Sequence, residues 1–155
     1  MKLEQTLIIL KPDTVQRGLM GEVISRIERR GLRIAAMKML QITPELARRH
    51  YSEHKDKPFY EPLVKFITSA PVVAMVVEGP EAINVIRAMM GKTNAKVAAP
   101  GTIRGDYGLS NRLNLVHGSD SFASAEHEVA LFFKPEEIYS YEREVERWID
   151  PDAEW

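Results

Sequence analysis

The chain has 155 residues, a length that suits one domain and allows a sizeable core; 45% hydrophobic and 28% charged residues are ordinary for a soluble globular protein. With 21 basic against 22 acidic side chains the formal net charge is −1, so bulk electrostatics give no argument for nucleic acid or an anionic membrane as partner. No cysteine is present, which excludes disulfides, thiolate catalysis and cysteine-bound metal, and no apolar run is long enough to span a bilayer.

In chain order, the opening MKLEQTLIIL lacks the small-residue cleavage site of a secretory signal, and a cytoplasmic setting is expected. QTLIIL (5–10) is a short apolar run rich in β-branched residues, stopped by KPD, and reads as a central strand. From Leu19 to Arg30, apolar Leu19, Val23, Ile24 and Ile27 recur at helical spacing and Gly31 supplies a stop. Residues 32–42 read as a strand. Thr43 and Pro44 then offer an N-cap and a first-turn proline to a helix through ELARRHYSEH. PLVKFITS predicts a further helical turn or two, and the nearly unbroken apolar run PVVAMVVEG (71–79) predicts a strand covered on both faces. PEAINVIRAMMG (80–91) predicts a helix with proline at its start and glycine at its end. The following KTNAKVAAPGTIRGDYGLSNR is rich in glycine and proline, and a loop this long in a compact domain is functional more often than idle. LNLVH reads as a short strand, Ser124 as the cap of AEHEVALFF, PEEIYSYEREVERWI as a closing helix, and DPDAEW as a surface tail. Alternating strands and helices give an α/β or α+β class with helices on a mixed sheet, with no internal repeat or dividing linker.

Two motifs are decoys. GKT (91–93) resembles the end of a phosphate-binding P-loop, but Ile86 stands where the first glycine is required, and the tripeptide follows a helix rather than a strand. HYSEH (50–54) fits an inverted zinc-protease pattern, with His50 and His54 four apart on one helix face, but no third ligand can be singled out and chance matches are common. Arg29-Arg30 and Arg48-Arg49 read as solvated helix faces, and no RNA-recognition signature is present.

The chemistry concentrates in NLVHGSDS (114–121). Gly118 removes a side chain beside His117 and is expected to give a bulky group room to approach, while Asn114, Ser119 and Ser121 offer hydrogen bonds to phosphate or sugar oxygens. Glu128 lies eleven residues on. A carboxylate bonded to one ring nitrogen would fix the tautomer and leave the other nitrogen a lone pair. On this local chemistry His117 fits equally a satisfied structural histidine and a nucleophile. Cations tilt the balance: Lys11 follows a strand end, where α/β proteins place ligand groups, and Arg87 and Arg104 flank the long loop. Together they suit a triphosphate, whose transfer needs charge neutralisation and alignment.

These motifs, in order, resemble those of the nucleoside diphosphate kinase family. IILKPDTVQRGLMGEVI, HY followed by KDKPFYEPLV, SAPVVAMVVEG, MMGKTN, PGTIRGDYG, and NLVHGSDS with SAEHEVALFF cover the chain almost end to end, and HGSDS preceded by Asn114 is highly specific. The resemblance implies a ferredoxin-like α+β sandwich with a four-stranded antiparallel sheet. It also implies a ping-pong reaction in which a nucleoside triphosphate phosphorylates His117 at Nδ1 and a diphosphate removes the group. Glu128 would hold Nε2–H with Ser119 supporting it. Lys11 would bind the γ-phosphate and ribose, Asn114 the 3′-hydroxyl, and Arg87, Thr93 and Arg104 the β- and γ-phosphates. Tyr51 would line the phosphoryl path, His54 contact the β-phosphate and Phe59 stack on the base, a contact that tolerates any base. Mg2+ is implied on the phosphates, with no protein metal site. Hexamers or tetramers are implied, the long loop and extended C-terminus favouring a hexamer. No membrane or nucleic-acid partner is expected.

Two positions depart from the family pattern. Asn111 stands where an apolar residue would face the base, with Leu113 or Leu109 as candidates to compensate, and Ala95 replaces a proline of the long loop. A nucleotide-binding module without turnover and a zinc hydrolase are the alternative readings. The intact His117, Glu128, Lys11 and Arg104 argue against the first.

Overall fold

The computed structural model describes residues 2–155. Four strands, β1 (Leu3–Leu10), β2 (Arg33–Leu40), β3 (Val72–Pro80) and β4 (Val116–Gly118), alternate with helices α1 (Pro12–Gln16), α2 (Met20–Arg30), α3 (Pro44–His50), α4 (Tyr60–Ile67), α5 (Ala82–Met90), α6 (Ile103–Tyr107) and α7 (Phe122–Phe132). The sheet order is β2-β3-β1-β4 and every pairing is antiparallel. With β1–α2–β2 followed by β3–α5–β4, this is the ferredoxin-like arrangement, and the sheet is antiparallel rather than mixed.

Alternation along β1 builds two cores. Leu7 and Ile9 pack with Ala47, Val64, Ile67 and Phe132 beneath α3, α4 and α7. Ile8 and Leu10 pack with Val23, Ile27, Met75, Ile86 and Met90 beneath α2 and α5. Both faces are therefore covered, which explains why Val72 to Val77 of β3 is buried throughout.

The helix punctuation follows local chemistry. Gly31 takes a left-handed φ of 105° and ends α2. The Thr43 side chain accepts from the Leu46 N–H at 3.1 Å ahead of Pro44. Elsewhere the sequence expectation shifts. The helix expected to run through HYSEH stops at His50, and Ser52–His54 forms a separate 3₁₀ turn. Pro80 closes β3, leaving Glu81 at φ 50° to cap α5. α7 starts before Ser124, because Ser121 caps it and Ser124 closes a reciprocal capping box. The long loop contains α6 and a 3₁₀ turn at Ala95–Val97, and the expected strand LNLVH shrinks to Val116–Gly118.

The largest difference is after α7. The expected closing helix exists only as 3₁₀ turns at Pro135–Glu137 and Glu144–Trp148. Tertiary partners take its hydrogen bonds: the Tyr139 N–H donates to Ala35 O at 2.8 Å, and the Tyr141 hydroxyl to Ile34 O at 2.6 Å. Arg143 donates to the carbonyls of Gly31 and Leu32, and buried Arg33 pairs with Glu78 and with Glu146, the latter at 2.7 Å. Residues 150–155, expected as a surface tail, fold back so that the Trp155 ring lies beneath the guanidinium groups of Arg33 and Arg143.

β4 carries His117 opposite Ile9 and Gly118 opposite Ile8, so the two residues address opposite faces of the sheet. A Cβ on Gly118 would stand 2.7 Å from Met90 Sδ and 3.1 Å from Ile86 Cγ2. Gly118 therefore lets α5 close onto β4, and does not clear the approach to His117. Gly118→Ala is expected to cost about 1 kcal/mol by overpacking, which lowers Tm by roughly 2–4 °C in scanning calorimetry. An unchanged Tm would contradict this packing.

Candidate active site

Just before β4 the backbone turns sharply, with Leu115 at φ 74°, a left-handed conformation costing a non-glycine residue of order 1–3 kcal/mol unless its surroundings impose it. They do. The Leu115 carbonyl accepts from the Lys11 N–H at 2.9 Å and the Thr14 hydroxyl at 2.6 Å, and its N–H donates to Asp13 Oδ2 at 3.0 Å. From the other side Arg104 donates to Asn114 O at 3.0 Å, Val116 O at 2.7 Å and Gly91 O at 2.9 Å. The segment KPDT and the long loop thus fix where His117 emerges.

His117 lies with its side chain 22% exposed on the wall of a cleft of about 840 Å³. Its Nε2 is 2.9 Å from Glu128 Oε1, and the Ser119 hydroxyl donates to that same oxygen at 2.6 Å. Burial alone would push the Glu128 carboxyl up, but the hydrogen bond and charge of His117 and the bond from Ser119 hold it below its usual range. The carboxylate is ionised, accepts only, and so assigns the proton to Nε2. Nδ1 is left with the lone pair in a defined tautomer, as nucleophilic attack from that nitrogen requires.

Cations face it. Buried Lys11 donates to Asn114 Oδ1 at 2.8 Å, using one of its three N–H groups. Burial, and then the nearby Arg104, push its pKa down to about 8 against the opposing pull of Asp13. Burial and Arg87 likewise push Arg104 down to about 10. Arg104 spends three of its five N–H groups on backbone carbonyls. Both groups remain charged at neutral pH yet are poorly compensated, a field that favours a multiply charged anion.

The cleft gathers Lys11, Tyr51, His54, Phe59, Arg87, Thr93, Arg104, Asn114, His117 and Glu128, the sequence-derived site residues, with Ser119 buried beneath Glu128. Their roles differ in detail. The Asn114 amide is engaged at both ends, by Lys11 and by Thr93 O at 3.0 Å. Phe59 is half exposed, with the His54 ring 5.2 Å away, as an open stacking surface would be. Asn111 lines the cleft, whereas Leu113 and Leu109 do not; Leu63 is the apolar side chain near Phe59 that the sequence reading left out.

Arg112, Asp13, Thr14 and His50 were also missed. Asp13 and Thr14 had a signal, two polar residues directly after Lys11 at a strand end. For His50 the sequence offers only a rejected zinc motif or a solvated helix face, and the side chain is instead buried. Because α3 ends at His50, among the described residues the donors close enough to share a metal are His50, His117 and Glu128, within 4.8 Å of one another, and not the His50–His54 pair. Two imidazoles and a carboxylate do not make a magnesium cage.

The family model for nucleoside diphosphate kinase matches residues 4–138. A nucleoside diphosphate kinase of Pelotomaculum thermopropionicum is 56% identical over 147 residues, 95% of this chain and 99% of that protein. The fold is similar to that of a halophilic nucleoside diphosphate kinase from Halobacterium salinarum in complex with CDP, at TM-score 0.94 and 49% identity over 95% of this chain and 98% of that one. It is similar also to a transition state mimic of the Borrelia burgdorferi enzyme with bound vanadate and ADP, at TM-score 0.89 and 41% identity over 94% and 96% of the two chains.

The buried environment of Lys11 predicts that its ammonium titrates near pH 8 in the unliganded protein, followed by 13Cε chemical shift. A midpoint near the 10.5 of a free lysine would contradict the desolvated site.

Proposed function

The chain belongs to the nucleoside diphosphate kinase family and is a phosphotransferase of that kind, and from that premise we propose that it moves the γ-phosphoryl group of a nucleoside triphosphate to a diphosphate through a phosphohistidine on His117. The observation that carries this is the Nε2–Glu128 bond on a histidine facing Lys11, Arg87 and Arg104 across one cleft. In the first half-reaction the Nδ1 lone pair of His117 forms the N–P bond. The P–O bond breaks, its electron pair leaves with the diphosphate, and the Nε2 proton stays on the ring against Glu128. The second half-reaction reverses these changes with another diphosphate.

Lys11 meets the γ-phosphate with its remaining N–H groups while orienting Asn114 toward the sugar. Arg87, Thr93, His54 and the uncommitted N–H groups of Arg104 hold the β- and γ-phosphates, and Tyr51 walls the phosphoryl path. Phe59 stacks on the base and reads no edge, so many bases are accepted. The binding of CDP and ADP by the Halobacterium and Borrelia relatives supports nucleotide substrates. Mg2+ would neutralise phosphate charge when bound with the nucleotide, and no side chain of the cleft is assigned to it, Glu128 Oε1 being committed to His117 and Ser119.

The whole chain acts as one domain, in the cytoplasm, and as a homo-oligomer, with a hexamer favoured over a tetramer. Edge strand β2 exposes Met37 and Met39, 54% and 57% exposed, an apolar strip that suits a contact between copies. No helix is long and apolar enough to cross a membrane among the described residues.

Incubation with γ-labelled ATP and Mg2+ should give an acid-labile, alkali-stable phosphoprotein. His117→Ala should lose the label and about four orders of magnitude or more of transfer. Label persisting on that variant would sink the assignment. For Asn111, replacement by valine should raise kcat/KM for ADP, GDP, CDP and UDP alike by about fivefold, through added apolar contact with the base. Values equal to wild type would place Asn111 away from the base.

A further inference from the structure

His50 has no part in this scheme, yet it is packed against it. Its side chain is 2% exposed, its ring meets His117 edge-on with centroids 4.6 Å apart, and Phe132 and Tyr51 enclose it at 5.4 Å and 4.6 Å. Both ring nitrogens are buried and neither has a hydrogen-bond partner. A buried unpaired nitrogen bears its full desolvation cost, and phenylalanine would fill the same space without it. The titratable groups around the ring are His117 from β4, Glu128 and His127 from α7, Lys11 after β1, and Tyr51 beside it on the chain. Burial first, then His117, push the His50 pKa down to about 3 in spite of Glu128. The ring is neutral, with one N–H to give.

Glu128 has a matching need. Its Oε1 accepts from both His117 and Ser119, while Oε2 lies 3.8 Å from His50 Nδ1. That is just outside hydrogen-bond reach, and catalytic hydrogen bonds often stand long until the substrate is in place.

We propose that His50 is a positioning residue, whose Nδ1–H closes onto Glu128 Oε2 as phosphorus bonds to His117. The inference rests on the phosphohistidine reading above. As Nδ1 of His117 gives its lone pair to phosphorus, positive charge grows on the ring and its Nε2–H presses on Glu128 Oε1. A donor on Oε2 fixes the carboxylate's rotation and lowers its basicity, so the Nε2 proton stays on His117. A protonated ring is the better leaving group when the next diphosphate takes the phosphoryl. His50 itself transfers no proton.

The test compares wild type with His50→Phe, which keeps the ring packing without a donor, and His50→Asn, which keeps an N–H at the Nδ1 position. Rapid-quench rates of phosphoenzyme formation from ATP·Mg2+ and of its discharge to GDP are followed from pH 5 to 9. The expectation is a roughly tenfold fall in both rates for His50→Phe with KM within about twofold, because a bond to a charged acceptor is lost. The acid limb moves to higher pH, since a carboxylate deprived of a donor titrates higher, and His50→Asn recovers most of the rate. Wild-type rates and limb in His50→Phe overturn the proposal, as do equal losses in both variants with the limb unmoved, the signature of packing alone. Independently of any variant, 15N–1H correlation of wild-type imidazoles should find the His50 proton on Nδ1; a proton on Nε2 overturns it. A wild type that forms no phosphohistidine overturns the functional reading, and this inference with it.

Discussion

The bond between His117 Nε2 and Glu128 Oε1, at 2.9 Å, is the constraint on which the site depends. It joins the edge strand β4 to α7, and in the turn between them Ser119 donates to Glu128 Oε1 and accepts from the Leu7 N–H of β1. Both ends of that span are held independently. The strained backbone at Leu115 is pinned by Lys11, Asp13 and Thr14 from one side and by Arg104 from the other. The start of α7 is fixed by the reciprocal bonds of Ser121 and Ser124. Small shifts in either element would separate the pair, which gives a structural purpose to a conformation that costs energy locally.

Electrostatics then decide what His117 faces. Desolvation makes charge on Lys11 and Arg104 expensive, Arg104 adds to the cost at Lys11, and Arg87 adds to the cost at Arg104. A polyphosphate relieves this repulsion on arrival, so part of the binding energy comes from cost already built into the empty cleft. Arg104 has a double part: three N–H groups set the backbone that presents His117, and the others remain for ligand. Its loss would disturb position as well as charge.

Much of this was legible in the sequence, for identifiable reasons. Strands β1 and β3 are built on the apolar runs 7–10 and 72–77, and α2 and α3 carry their own stop and cap. Lys11, His117 and Glu128 are polar groups beside such elements, where side chains have few places to go. Long-range competition was not legible. PEEIYSYEREVERWI has helical spacing, but Tyr139, Tyr141 and Arg143 find carbonyls on and before β2, and those bonds outcompete the local helix. Gly118 was assigned to the wrong face because the register of β4 against β1 cannot be read locally. His50 looked like half of a zinc motif until the break at Tyr51 parted it from His54 and left it beside Glu128.

With Glu128 on Nε2, the proposed phosphoryl transfer falls to Nδ1 of His117. Proton–phosphorus correlation NMR of the protein phosphorylated by ATP·Mg2+ reads this directly, because the two imidazole positions couple phosphorus differently to the ring protons. The prediction is a single phosphohistidine at His117 with phosphorus on Nδ1. Phosphorus on Nε2, or on any other residue, would contradict it.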